Sequence, residues 1–332
     1  MEELNIWENR EIMAAVICGT GSYAPDYIMD NHEIAKMVET SDTWIQERTG
    51  IKQRHIAEAE TTTHMAAQAA ERAVENAGIS PEEIELIIMA TLSSDVIVPC
   101  SACEVQREIG AKRAACFDIN AACSGFVVAY NIADAFFAAG QYRTALIVAA
   151  ESLSHLTDWN DRNTCILFGD GAGAAVLRNS SGRHFLSVTH SDGEKGWTLT
   201  CKNRLAMEPG ELAREYYIDM NGQEIFKFAV HRVPELVREV LEKNGVEQRE
   251  ISRYVVHQAN SRILEAVAKR LGEPVEKFPM NLQNYGNTSS ASIPILLDEI
   301  SRGGKLKKGE KILMAGFGAG LTWSGNILEW NM

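Results

Sequence analysis

Glu75-Asn76-Ala77-Gly78-Ile79-Ser80-Pro81-Glu82-Glu83-Ile84-Glu85-Leu86-Ile87-Ile88-Met89-Ala90 reads as the end of a helix, an acidic connector and a buried strand. Gly78 stops the helix, because a left-handed C-cap costs glycine nothing in Cβ clash. The apolar run that follows is too short for a helix and fits a strand covered on both faces. The same text recurs as Glu242-Lys243-Asn244-Gly245-Val246-Glu247-Gln248-Arg249-Glu250-Ile251-Ser252-Arg253-Tyr254-Val255-Val256-His257, with Gly245 aligned to Gly78 and Ile251 to Ile84. The echo continues downstream. A helix from Ser124 to Ala139 is answered by one from Ser289 to Ile300, which ends at Gly303-Gly304. Apolar strands follow at Thr144–Ala150 and Lys311–Ala315, then the glycine-rich returns Phe168-Gly169-Asp170-Gly171-Ala172-Gly173 and Gly316-Phe317-Gly318-Ala319-Gly320. Two matched halves of alternating helix and strand predict an α/β protein with two helix-covered sheets and a site where the halves meet.

The chain has 332 residues, 45% of them hydrophobic, which exceeds the size at which one core stops growing. The expected division is a peripheral N-terminal extension over residues 1–13, a first half over 14–180 and a second over 181–332. A formal net charge of −13 argues against general affinity for nucleic acid or anionic membrane, which need an excess of Lys and Arg. Apolar stretches such as Ala145–Ala150 are far too short to span a bilayer. The opening residues are acidic where a secretory segment needs basic residues and then a long apolar run. With seven cysteines, an odd number, this predicts a cytoplasmic protein with free thiols. Gly19-Thr20-Gly21 lacks the third glycine of a dinucleotide fingerprint, and no phosphate-loop lysine motif occurs, so nucleotide redox chemistry and phosphoryl transfer are rejected.

Cys123 stands in Asp118-Ile119-Asn120-Ala121-Ala122-Cys123-Ser124-Gly125-Phe126, between a strand and a helix apolar nearly all round. A buried helix N-terminus aimed at the sulfur favours thiolate over thiol, whereas a cysteine with no such role is a small hydrophobe. His257 closes the strand of the repeat. Asn287 lies just before the second-half counterpart of the Cys123 helix. Alone, His257 reads as a structural histidine and Asn287 as a helix cap; three matched placements favour a shared cleft with a thiol nucleophile. Gly318-Ala319-Gly320 adds backbone N–H groups that a substrate can approach closely.

These motifs carry a family resemblance running from about Ala14 to the C-terminus. Thr40-Ser41-Asp42-Thr43-Trp44-Ile45-Gln46-Glu47-Arg48-Thr49-Gly50-Ile51, Asn120–Phe126, Phe168–Ala175, His257-Gln258-Ala259-Asn260, Gly286–Ser292 and Gly316–Trp323 together resemble the β-ketoacyl-acyl carrier protein synthase III family of the thiolase superfamily. The resemblance implies a thiolase fold, duplicated βα halves in a five-layer αβαβα arrangement. It implies a triad of Cys123, His257 and Asn287, with an oxyanion hole from the N–H of Cys123 and the Gly318–Ala319 turn; Ala319 stands where a third glycine is common. The implied activity initiates fatty-acid synthesis: a short acyl-coenzyme A acylates Cys123, and decarboxylative condensation with malonyl-acyl carrier protein follows. No cofactor or metal is implied, and a homodimer is.

Further roles follow from the resemblance alone. Thr40, Trp44, Arg48, Arg162, Phe226 and Asn260 map to coenzyme A contacts, with Trp44 and Arg48 resembling a pair that sandwiches adenine. Acyl carrier protein, being acidic, would dock on Lys227, Gln258, Ala259, Asn260, Ser261, Arg262, Lys269 and Arg270. Val98 and Phe317 map to the acyl pocket, Val98 at a position that can reach the partner's pocket. Cys100 and Cys103 form a C-x-x-C without a second pair at zinc spacing, and are expected to pack in the core. The competing functions are another condensation using the same triad, in specialised metabolism or long-chain coupling, and a non-catalytic partner subunit, which would typically lack the nucleophile.

Overall fold

In the strand Leu86–Ala90 the side chains alternate between two apolar clusters, Leu86, Ile88 and Ala90 facing one and Ile87 and Met89 the other, so both faces are covered and no polar face is needed. The computed structural model describes residues 13–203 and 216–332. Two sheets dominate it. The first has the order Met13–Tyr23, Asp170–Ser181, Thr144–Ser152, Leu86–Ala90, Ala115–Ile119. Leu86–Ala90 runs parallel to both its neighbours, and the other two pairings are antiparallel. The second sheet has the order Ile251–Val256, Lys311–Gly318, Thr322–Glu329, Val188–Ser191, its first pair parallel and the others antiparallel.

Helices Gly125–Ala138 and Ser292–Arg302 are packed between the sheets in one apolar cluster that contains Ile88 and Ile147 from the first sheet and Val255, Ile312 and Met314 from the second. Thr62–Ala77 and Ser101–Ile109 cover the outer face of the first sheet, and Gly222–Asn244 and Ser261–Leu271 that of the second. The result is five layers, αβαβα. The two predicted C-caps occur as expected: Gly78 and Gly245 both lie in the left-handed region, at φ 65° and 56°. Each is followed by a 3-10 turn closed by a capping box, Ser80 with Glu83 and Glu247 with Glu250.

The expected boundaries shift by a few residues. Met13 pairs with Ser181 and belongs to the first strand, so the division at 180/181 cuts that ladder, and the chain passes between the sheets over residues 182–187. The rest of the 1–13 extension lies outside the described residues. Cys100 caps the helix Ser101–Ile109, with its sulfur 3.4 Å from that of Cys103, and both are half-buried. No helix among the described residues is long and apolar enough to cross a membrane.

The passage between the sheets is tied to the inter-sheet layer by His184, whose Nε2 lies 2.8 Å from Asp134 Oδ2. The other Asp134 oxygen accepts the Ala15 N–H at 2.8 Å. The Asp134 contact raises the His184 pKa, against the opposing effect of burial. With the folded value above the unfolded one, about 6.5, the stabilisation is full below that pH and is lost as pH rises through the folded value. Stability measured by urea unfolding is therefore expected to fall as the pH rises above about 6.5, with a shallower slope in His184→Gln. Equal slopes in the two proteins would contradict this contact.

Candidate active site

The strand Ala115–Ile119 turns into the helix Gly125–Ala138 through a 3-10 turn, Ala122–Ser124, that holds Cys123. Ala122 has φ 45°, a left-handed conformation that makes the turn sharp. Ser289 repeats it at φ 47°, at the spacing that separates Gly78 from Gly245, in the turn Ser289–Ala291 before Ser292–Arg302. By the same spacing Ser290 is the counterpart of Cys123, and Asn120 that of Asn287. One turn presents the thiol; the other carries the amide.

Asn287 is fixed from both directions. Its backbone N–H donates to Leu167 O at 2.8 Å, and its carbonyl accepts from Gly169 N at 3.1 Å. Gly286, at φ 66°, permits this close approach, since a Cβ there would lie 2.8 Å from Leu167 O. Ser289 N–H donates to Asn287 Oδ1 at 2.9 Å, so the amide oxygen is occupied and the NH2 is left for a ligand. His257 follows Ile251–Val256 and extends its pairing, donating its N–H to Ala315 O at 2.9 Å. Its Nδ1 lies 2.7 Å from Ser292 Oγ, and Phe317 packs edge-on against the ring at 5.2 Å between centroids. Cys123, His257 and Asn287 are all buried and line one cavity of about 770 Å³.

Burial sets the charge state of the pair. It pushes the Cys123 thiol up to about 12, with the Ser289 hydroxyl, which faces the sulfur without closing a hydrogen bond, as the largest opposing influence. It pushes the His257 imidazole down to about 3. The thiolate expected from the helix N-terminus is thus corrected: a 3-10 turn separates Cys123 from the regular helix, and loss of water outweighs the dipole. At neutral pH the resting pair is a thiol beside a neutral imidazole.

Gly318 closes the other side of the sulfur. A Cβ there would stand 2.8 Å from Cys123 Cβ and 3.1 Å from its Sγ. Ala319 lines the same cavity, beside Phe317. Ser124 Oγ meets Thr322 Oγ1 at 2.9 Å, tying the nucleophile turn to the return that carries Gly318 and Ala319.

Of the residues assigned to coenzyme A, Trp44, Arg48, Phe226 and Asn260 line the cavity. Arg162 does not, but it stands over the Trp44 ring at 5.0 Å, with Arg48 at 5.6 Å. Thr40 is outside the lining. Asn260 caps Ser261–Leu271, its Oδ1 accepting from Arg262 N at 2.9 Å and its Nδ2 donating to Arg48 O at 3.1 Å. Lys227, Arg262, Lys269 and Arg270 are exposed, Ser261 is half-buried and Ala259 lines the cavity.

One placement is corrected. Gln258 is 1% exposed and spends its side chain on Val256 O at 2.7 Å and on Asn281 N at 3.2 Å, so it braces the fold and presents nothing to a carrier protein. Val98 is 84% exposed and does not line its own chain's cavity, because the segment Val96–Val98 projects outward ahead of the helix Ser101–Ile109. Sequence reasoning also passed over Ser289, Ser292 and Glu151. Ser289 and Ser292 stand inside the quoted Gly286–Ser292 motif, where hydroxyl spacing was an available signal. Glu151, wholly buried at the end of Thr144–Ser152, accepts from Ser290 Oγ and from Ser93 Oγ, both at 2.7 Å.

Two matched halves that close a buried thiol, an imidazole and an amide around one cavity define a thiolase-fold condensing enzyme. Residues 117–193 match the family model described as 3-Oxoacyl-[acyl-carrier-protein (ACP)] synthase III, and residues 241–330 match its C-terminal counterpart. The chain is 49% identical over 320 residues to the beta-ketoacyl-[acyl-carrier-protein] synthase III of Clostridium acetobutylicum, covering 95% of this chain and 98% of that one. Among solved structures it resembles the 3-oxoacyl-[acyl-carrier-protein] synthase III of Aquifex aeolicus, at TM-score 0.90 and 46% identity over 95% of this chain and 100% of that one. The Pseudomonas aeruginosa synthase III superposes at TM-score 0.89 and 38% identity over 96% of this chain and 99% of that one. The chain belongs to the β-ketoacyl-acyl carrier protein synthase III family.

Gly318→Ala is expected to lower turnover on the order of 10²-fold by displacing the sulfur, and to lower the melting temperature as well, because the added methyl also meets the Cys123 backbone N at 3.0 Å. Steady-state rates and a melting curve check this; full activity would mean that Gly318 does not bound the reacting atoms.

Proposed function

We propose that this enzyme initiates fatty-acid synthesis in two half-reactions at the Cys123 cavity. The observation that carries the proposal is that one half supplies a buried thiol and the other a neutral imidazole and a free amide NH2, all lining the same space. In the first half-reaction Cys123 sulfur attacks the thioester carbonyl of a short acyl-coenzyme A, and its proton passes to His257 Nε2 as the S–C bond forms. The oxyanion is held by the Cys123 N–H and the Gly318–Ala319 turn. As the old C–S bond breaks, the proton goes to the departing coenzyme A thiolate. Trp44, Arg48 and Arg162 hold the nucleotide end by stacking, Thr40 and Phe226 add further coenzyme A contacts, and Asn260 hydrogen-bonds the pantetheine arm.

In the second half-reaction malonyl-acyl carrier protein loses carbon dioxide. The electron pair left behind becomes a thioester enolate, whose oxygen accepts from His257 Nε2–H and the Asn287 NH2. Both donors are neutral, as a developing charge in a dry site requires. The enolate carbon attacks the acyl-enzyme, Cys123 leaves as thiolate, and a proton from solvent restores the thiol. No cofactor enters either step. Among the described residues, no group of three or more His, Cys, Asp or Glu is placed to hold a metal ion.

Lys227, Arg262, Lys269 and Arg270 form the exposed cationic rim for an acidic carrier, with Ala259, Asn260 and Ser261 behind it. Against a net charge of −13 this patch orients the partner locally. The working form is a homodimer in which the exposed Val96–Val98 segment is covered by the second copy, and the substrates place it in the cytoplasm.

Intact-protein mass spectrometry after incubation with acetyl-, isobutyryl- and octanoyl-coenzyme A is expected to show one acyl adduct, absent in Cys123→Ala. Adding malonyl-acyl carrier protein should discharge it with release of carbon dioxide. An adduct that persists in the variant, or discharge without carbon dioxide, would overturn the proposal.

A further inference from the structure

His257 has to accept a proton at Nε2 in the first half-reaction and donate a hydrogen bond from Nε2 in the second, while remaining neutral at rest. These are different tautomers, and the group on Nδ1 decides which one is held. That group is Ser292 Oγ, 2.7 Å away and 2% exposed, on the first residue of the inter-sheet helix Ser292–Arg302. We propose that Ser292 is the positioning residue through which one imidazole serves both half-reactions: its hydroxyl accepts from Nδ1–H during acylation and donates to bare Nδ1 during decarboxylation.

A carboxylate or a backbone carbonyl at this place would hold Nδ1–H, and a backbone N–H would hold Nε2–H. A hydroxyl is both donor and acceptor, and it turns about its C–O bond. Gln258 N–H donates to Ser292 Oγ at 3.2 Å, which fixes the oxygen and leaves one lone pair and the hydroxyl hydrogen for the ring. Phe317 holds the ring edge-on, so the tautomer can change without the imidazole moving. In the first half the counterpart of Ser292 is Gly125, where no side chain can project, since a Cβ would lie 2.8 Å from Ala90 Cβ. The hydroxyl therefore belongs to the half that carries the imidazole.

This inference rests on the proposed two-step reaction. With Ser292 removed, bare Nδ1 has no hydroxyl donor and Nε2–H is no longer held for the enolate, whereas in acylation Nε2 serves only as a passing proton acceptor. In Ser292→Ala, acylation by acetyl-coenzyme A, followed by intact-protein mass spectrometry, should stay within about threefold of the native rate, whereas carbon dioxide release from malonyl-acyl carrier protein should fall on the order of 10²-fold. Ser292→Thr, which keeps the hydroxyl, should restore most of that loss. Equal losses in both half-reactions, or undiminished carbon dioxide release, would overturn the inference. The native enzyme offers a second readout. With 15N-labelled histidine, its spectrum should show His257 as Nδ1–H in the free enzyme and as Nε2–H once Cys123 is acetylated. The same tautomer in both states would overturn it. If native Cys123 takes up no acetyl group at all, the two-step reaction itself fails, a result distinct from an unchanged tautomer.

Discussion

Removal of water from the space between Cys123 and His257 is the constraint on which the chemistry depends. Burial, with a smaller push from the Glu151 carboxylate, drives the thiol up to about 12, and burial drives the imidazole down to about 3, so the resting site holds no ion pair. In the proposed reaction a substrate carbonyl then meets a thiol whose proton leaves as the new bond forms, and a malonyl enolate meets two neutral donors. The same dryness makes each donor count for more than it would in water, provided every other polar group is satisfied. Asn287 shows how this is done: one oxygen to Ser289, two backbone groups to the Leu167–Gly169 segment, and only the NH2 left open.

Duplication divides the labour. Both halves make a sharp turn into an inter-sheet helix with a residue in the left-handed region, Ala122 in one and Ser289 in the other. Beyond the first turn stands Gly318, which has no side chain and leaves room for an acyl group. At the matching place beyond the second turn stands Glu151, whose carboxylate takes the Ser290 hydroxyl and fills the space. One copy of the turn opens onto the cavity and carries Cys123, the proposed nucleophile. The other is sealed and serves as a rigid mount for Asn287.

Much of this was legible in the chain itself. The repeated helix-stop, capping box and apolar strand predicted two covered sheets because each signal acts within a few residues: glycine at a C-cap, Ser80 with Glu83, alternation along Leu86–Ala90. Cys123, His257, Asn287 and Gly318 were legible because the repeat places them at matched strand ends or just ahead of matched helices. What was not legible depends on contacts between distant segments. Gln258 turns inward onto Pro279 O and Asn281 N, which lie 21 and 23 residues further along the chain. The direction of the Cys123 shift was misjudged for the same reason: a helix N-terminus can be seen in sequence, but the depth of burial is set by both halves closing over it. Ser292 stood in a quoted motif, yet its contact with His257 spans 35 residues.

Burial holds the Cys123 thiol neutral in the resting enzyme, and the pH dependence of Cys123 alkylation reads this out. In a variant whose other six cysteines are replaced, the rate of reaction with iodoacetamide should keep rising through pH 9, since the thiolate fraction grows about tenfold per unit below the thiol's pKa. A rate that levels off near pH 6 to 7 would show a preformed thiolate and contradict the account.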